Sequence, residues 1–172
     1  MCSLVKTASR TDFFERKKFG MNEIVTKVKE FFDTQKWHYD YFEEDCVFQS
    51  GVQIDETSGL MVHAIIGEAA FTVTAASDVE VNPENYVEVA AFLNEINARL
   101  LLGCLVLDSE TGVLFFRVGQ NCIDQAPTAK VVEDAFMYPI SFMDENYAAI
   151  AGFLSGSLSA GEALEQVFAQ EA

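Results

Sequence analysis

The chain has 172 residues, half of them apolar and 22% charged, so it is expected to form one ordinary globular domain with a single core. Its net charge is −16, and residues 1–20 hold five of its eleven lysines and arginines, which leaves the remainder strongly acidic. An acidic body repels phosphate backbones, and no apolar run reaches membrane-spanning length. Both observations argue against a nucleic-acid-binding protein and against a membrane-spanning one.

The first part of the chain divides at Met21. Residues 1–20 are basic and aperiodic, so they are predicted to be an N-terminal tail, and residues 21–172 are predicted to be a single domain. From Asn22 to about Lys36, apolar side chains recur at helical spacing and indicate a first helix.

A three-stranded meander is predicted after this helix. Residues 46–54 and 60–66 read as strands on either side of the loop 55–59. Residues 70–75 form the third strand, because apolar residues alternate there with two threonines.

A second helix follows the meander. Asn82 is predicted to be its N-cap, with Pro83 at the first helical position, where a missing N–H costs nothing. Gly103 is predicted to end the helix as the left-handed C′ residue.

Two further strands, residues 104–107 and 113–118, flank the loop 108–112. In the second of them, alternate positions on both sides are apolar, whereas an antiparallel sheet with one wet face should alternate between apolar and polar residues. The second face is therefore expected to be covered by helices or by another subunit. The candidate partner-binding or dimer surface is formed by Val113, Phe115 and Arg117. Arg117 is expected to pair with a nearby carboxylate rather than to bind an anion.

The C-terminal part is predicted to be helical. Pro127 opens a long helix that Pro139 should kink, and Ser159 to Glu162 has the form of a capping box for a short last helix. The fold class is therefore α+β, with an antiparallel sheet of about five strands packed with helices in the order α-βββ-α-ββ-α-α.

The sequence shows no recognisable catalytic or metal-binding pattern. His38 and His63 are isolated, and the four cysteines lack paired spacing, which favours a reduced, cytoplasmic protein with no zinc site. Phosphate-binding glycine loops are absent, and the acidic loops 55–59 and 108–112 lack the helix-flanked frame of a calcium site, so both are predicted to be hairpin turns. No catalytic, cofactor-binding or metal-binding residue is predicted.

The segment 82–118 carries a family resemblance. Its helix motif LNEIN, the strand LGCLVLD, the turn glycine and the motif FFR together resemble the YbjN-like family, which is described as bacterial sensory transduction regulators. The similarity extends from about Met21 to Phe168 and includes the final motif SAGEAL. The resemblance implies a fold similar to type III secretion chaperones, and it supplies no catalytic residue.

The leading hypothesis is a non-enzymatic, cytoplasmic protein-interaction module of the regulator type, which forms a homodimer and binds a protein partner, with no nucleic acid, membrane or cofactor. A second hypothesis is a chaperone-like carrier that holds a non-globular protein segment in an apolar groove. A third is an uncharacterised small hydrolase.

Overall fold

The computed structural model describes residues 21–54 and 58–169. The predicted basic tail and most of the loop 55–59 lie outside these residues. The helices are α1 (Met21–Gln35), α2 (Tyr86–Asn97), α3 (Ala129–Leu154) and α4 (Ala160–Phe168). The strands are β1 (Asp40–Phe42), β2 (Val47–Gln53), β3 (Gly59–Ile66), β4 (Ala70–Glu80), β5 (Cys104–Leu107) and β6 (Val113–Asn121).

The strands form one antiparallel sheet in the order β1-β2-β3-β4-β6-β5. The predicted α+β class and the predicted order of elements are confirmed, but the sheet has six strands. The additional strand is β1, for which the sequence analysis predicted no strand. With three residues it is too short to show a period of two, and it forms by pairing with β2.

Helices α1, α2 and α3 cover one face of the sheet, which we call the inner face, and α4 packs on α2 and α3. Phe116 of β6 lies 4.4 Å, between ring centroids, from Phe142 of α3. Phe48 of β2 stacks on Phe32 of α1 at 5.7 Å. Helix α2 joins this layer through Phe92, which stacks on a phenylalanine of α3 at 4.1 Å. Phe32, Phe48, Phe92 and Phe116 are buried, so the core lies between the helices and the inner face.

Helix α2 differs from its prediction at both ends. A single 3-10 turn follows Asn82, whose side chain makes no capping hydrogen bond, and the α-helix proper begins at Tyr86. The helix ends at Asn97, so Gly103 is not its C′ residue. Gly103 does adopt a left-handed conformation, with φ of +71°, in the turn that leads into β5.

The early end of α2 places Asn97 beside the edge strand β5. Its side-chain amide donates to the carbonyl of Leu105 at 3.0 Å, and its Oδ1 accepts from the Leu105 N–H at 2.8 Å. Unpaired backbone groups on an edge strand are a template for unwanted pairing with another chain. Asn97 satisfies both of these groups in β5 and fixes the strand to the helix layer.

Both helices of the C-terminal half have capped N-termini, and the second cap is the predicted one. Helix α3 begins after Thr128, whose hydroxyl accepts from the Val131 N–H at 3.3 Å, and it continues through the buried Pro139. The Ser159 and Glu162 capping box is present, with both reciprocal hydrogen bonds formed. In the described part of the chain, no helix combines the length and the apolar character needed to cross a membrane.

Replacing Gly103 by alanine should destabilise the fold strongly. The added Cβ would lie 2.8 Å from the carbonyl oxygen of Arg117 and would collide with the Phe116 ring, in a backbone conformation that alanine adopts reluctantly. We expect a loss of about 2 to 4 kcal/mol in the free energy of unfolding, measured by denaturant titration. Gly156→Ala is the control, because Gly156 has a φ of +74° but open space around its Cβ position, and it should cost only about 1 kcal/mol. Equal losses for the two variants would show that the contact with Phe116 is unimportant.

Asn97→Ala should also reduce stability. It removes the only side chain that pairs with the Leu105 N–H and carbonyl among the hydrogen bonds of the described residues. We expect a cost of about 1 to 3 kcal/mol. Asn94→Ala, at an exposed position one turn earlier on α2, should change the free energy of unfolding by less than about 0.5 kcal/mol. A cost for Asn97→Ala no larger than that of Asn94→Ala would contradict the assigned role.

Candidate functional site: the outer face of the sheet

The face of the sheet opposite the helices carries the predicted interaction residues, and we call it the outer face. Strand geometry points every second side chain towards it. Its members alternate with buried inner-face residues along each strand. The central members of the outer face are Asp40, Phe42, Val47, Gln49, Gly51, Met61, His63, Ile65, Thr72, Thr74, Ala76, Cys104, Val106, Phe115, Arg117 and Gly119.

Large apolar side chains on the outer face remain in contact with solvent. Phe42, Met61 and Ile65 are 48%, 42% and 49% exposed. The sequence predicted that this face is covered by helices or by another subunit. The first alternative is wrong for the described helices, because α1, α2 and α3 pack on the inner face and α4 packs on α2 and α3. They form one layer because the chain passes over that face only, each time it leaves the sheet and returns to it.

The strand register arranges the outer face in three parallel rows. The first row runs through the apolar side chains of Phe42, Val47 and Ile65 to Thr72 and Gly119. The middle row is polar and consists of Asp40, Gln49, His63, Thr74, Arg117 and Cys104. The third row consists of Gly51, Met61, Ala76, Phe115 and Val106. The face therefore has two largely apolar rows with a polar row between them.

Hydrogen bonds within the middle row are few. His63 Nε2 lies 3.3 Å from Oε1 of Gln49, and burial lowers the pKa of His63 below its ordinary value. The Arg117 guanidinium donates to the thiol of Cys104 at 3.9 Å. The carboxylate that sequence analysis expected beside Arg117 is not found among the described residues, and the Arg117 side chain is exposed. Arg117 therefore lies one strand from the β5 edge of the face, as a cation without a carboxylate partner among the described residues.

The structure brings the three predicted site residues together on one face. Val113, Phe115 and Arg117 alternate along β6 with the buried residues of the inner face, and Val113 lies at the end of the outer face beside Glu80. Sequence analysis missed the larger contribution of β3, namely Met61 and Ile65. Their signal was present, because β3 is apolar at consecutive positions on both faces, as β6 is.

Two glycines on the outer face have no explanation in the described part of the chain. A Cβ at Gly51 would meet nothing within 4 Å, and one at Gly119 would meet only the Thr72 hydroxyl at 3.9 Å. Neither glycine has a positive φ. Glycine inside a strand costs about 0.5 to 1 kcal/mol relative to alanine, and it often marks a place where another molecule approaches closely. Both glycines are consistent with a surface that is covered.

Other polar clusters have structural explanations. Asp108 accepts from the Glu110 N–H at 2.9 Å and from the Thr111 hydroxyl at 2.8 Å, and these bonds lower the pKa of its carboxyl. The loop 108–112 is therefore the predicted hairpin turn, with Gly112 at φ of +76°. In residues 21–54 and 58–169, no three His, Cys, Asp or Glu side chains are placed to hold a metal ion.

His63 should make stability depend on pH below its ordinary pKa. Its lowered pKa means that the unfolded chain binds a proton more readily, so stability decreases as the pH falls through about 6.5 towards the folded pKa. Its neighbours across β2 and β4 are the uncharged Gln49 and Thr74, and the charged Asp40 and Arg117 lie one strand further away. His63→Gln should reduce the slope with which the unfolding midpoint falls as the pH decreases below about 6.5. An unchanged slope in His63→Gln would contradict this.

Comparisons with known proteins agree with the resemblance in the sequence. The model of the YbjN family, described as "Putative bacterial sensory transduction regulator", matches residues 25–151. No match is found among curated proteins. Among solved structures, the chain is similar to "Crystal structure of YbjN, a putative transcription regulator from E. coli", with 14% identity, 68% of this chain and 89% of that chain covered, and a TM-score of 0.48. Because the family model spans most of the sequence, the chain belongs to the YbjN family.

Proposed function

We propose that this chain is a non-enzymatic regulator that acts by binding a protein partner, and that the outer face is the surface through which it binds. The observation that carries this proposal is the exposure of Phe42, Met61 and Ile65 on one side of a sheet whose other side is fully packed. Contiguous apolar surface on a folded chain marks an interaction site.

The composition of the outer face suits a protein more than a small ligand. Ligand sites are concave and enclose most of the ligand, whereas this face presents parallel rows across a sheet. Within the three rows, the charged side chains are Asp40 near one edge and Arg117 near the other. Depletion of charge with retention of apolar and aromatic residues is typical of the core of a protein interface.

The chemistry of the described residues supports a binding role. His63 contacts the side-chain amide of Gln49, which neither activates a nucleophile nor orients a base as a carboxylate does. Cys104 contacts the Arg117 guanidinium, and Cys122 is buried with a pKa raised by burial. A buried thiol with a raised pKa is an inert one. The family description as a regulator points in the same direction. A cytoplasmic location remains a prediction from the cysteine pattern.

Introducing positive charge on the outer face should abolish partner binding. The double variant Met61→Lys/Ile65→Lys places two ammonium groups on half-exposed positions, where the cost to folding should be within about 0.5 kcal/mol each. In affinity capture from a bacterial lysate, with mass spectrometry of the retained proteins, this variant should lose the proteins that the unchanged chain retains. Untagged copies of the chain are scored separately from other proteins.

The matched control is Val87→Lys/Met137→Lys. These two apolar residues are 85% and 38% exposed and lie on α2 and α3, away from the outer face. This variant should retain the same proteins as the unchanged chain. Equal retention by both double variants, or equal loss in both, would contradict a role of the outer face in binding. Retention of an unfolded segment alone would favour the carrier hypothesis instead.

A further inference from the structure

We propose that the protein covering the outer face is a second copy of this chain, packed face to face about a two-fold axis. The axis runs parallel to the strands and passes between β3 and β4. This inference rests on the proposed function, because it names the partner of the same surface. Closed two-fold dimers are the commonest assemblies of soluble proteins, and stacked sheets align their strands within about 30°.

The axis follows from the order of the strands. With three strands on each side, it places β3 over β4 of the second copy, β2 over β6 and β1 over β5. Rotation about this axis leaves the position of each residue along the strand direction unchanged. Each row of the outer face therefore lies over the same row of the second copy. Polar residues then face polar residues, and apolar rows face apolar rows.

Near the axis, this arrangement pairs large side chains with small ones. In the third row, Met61 of β3 faces Ala76 of the second copy, and in the first row Ile65 faces Thr72. Because the axis is two-fold, each pairing occurs twice. Alternation of large and small residues is what allows two facing layers to interdigitate at native packing density.

The two unexplained glycines fall into the same pattern. In the third row, Phe115 of β6 faces Gly51 on β2 of the second copy. In the first row, Val47 of β2 faces Gly119 on β6. The open space above each glycine in the single chain is thereby filled by a large side chain of the partner copy. The dimer therefore explains why both positions are occupied by glycine.

The positions of the charged residues on the outer face favour the same axis. Arg117 faces the Gln49 amide of the second copy, with Asp40 one strand further on. An axis perpendicular to the strands would instead place Arg117 over Arg117 and Met61 over Ile65. Two facing cations repel, and two facing large side chains hold the sheets apart. The chain carries 27 acidic residues, yet the three rows contain only Asp40, so two acidic bodies approach here with little repulsion.

The available area suits a modest dimer. Six strands about 4.8 Å apart span about 24 Å, and seven residues along a strand span about 23 Å. A flat face of these dimensions has an area of about 550 Å², to which the unevenness of the side-chain surface adds. A standard interface buries about 800 Å² on each partner. We therefore expect association in the micromolar range rather than an inseparable dimer.

Gly51→Val is the sharpest test, because it should separate dimerisation from folding. Valine suits a strand and has open space at this position in the single chain, so the unfolding midpoint of the dilute protein should be unchanged or raised. In the dimer the valine meets Phe115, and the dissociation constant from sedimentation velocity should rise by about tenfold or more. Gly161→Ala, at an exposed glycine of α4 with equal open space, should leave the dissociation constant unchanged.

A charge exchange tests the axis independently. Arg117→Glu should weaken the dimer by about tenfold, and Arg117→Glu/Asp40→Lys should recover most of the loss. Failure of the double variant to recover affinity would overturn the assigned axis.

A chain that is strictly monomeric at about 200 µM, roughly two hundred times a dissociation constant of 1 µM, would overturn the dimer itself. If the chain is monomeric and the Met61→Lys/Ile65→Lys variant still fails to capture the proteins that the unchanged chain retains, the proposed function stands without the dimer. If instead the dimer forms through this face and captured proteins are unaffected, only the wider binding role fails.

Discussion

The structure depends on one constraint, which is that its helices pack as a single layer on one side of a six-stranded antiparallel sheet. Strand geometry sends alternate side chains to opposite faces, so burying Phe48 and Phe116 on the inner face necessarily presents Val47 and Phe115 on the other. One helix layer can bury only one face of a sheet whose two faces are both apolar. The remaining surface is a consequence of the fold, and the protein uses it for association in our account.

The edges of the sheet are protected, which leaves the outer face as the surface for the association that we propose. On one side the edge strand β1 has only three residues. On the other side, Asn97 pairs with both backbone polar groups of Leu105 in β5. Short strands and capped backbone groups are the usual ways in which proteins avoid edge-to-edge pairing. The apolar rows of the outer face have no such protection, and Gly51 and Gly119 leave space above them.

Sequence reasoning predicted the parts of the fold that local signals control. The capping box at Ser159 and the hairpin at Asp108 each depend on residues within three or four positions, and both are present. The end of α2 could not be predicted in this way, because the side chain of Asn97, its last residue, bonds to a strand eight residues later. Likewise, β1 exists through its pairing with β2 and not through its own composition. Long-range contacts decide both cases.

The candidate site shows the same division. The apolar positions on both sides of β6 predicted that its second face is covered by helices or by another subunit, with Val113, Phe115 and Arg117 as the candidate surface. The three rows required the register of all six strands, which no local pattern contains. The most direct test is an isotope-filtered nuclear Overhauser spectrum of a mixed sample of labelled and unlabelled chains. Gly51 and Phe115 are three strands apart in one chain, about 14 Å, so an intermolecular contact between them would confirm the face-to-face dimer. Intermolecular contacts between Met61 and Ile65, or none from the outer face, would contradict it.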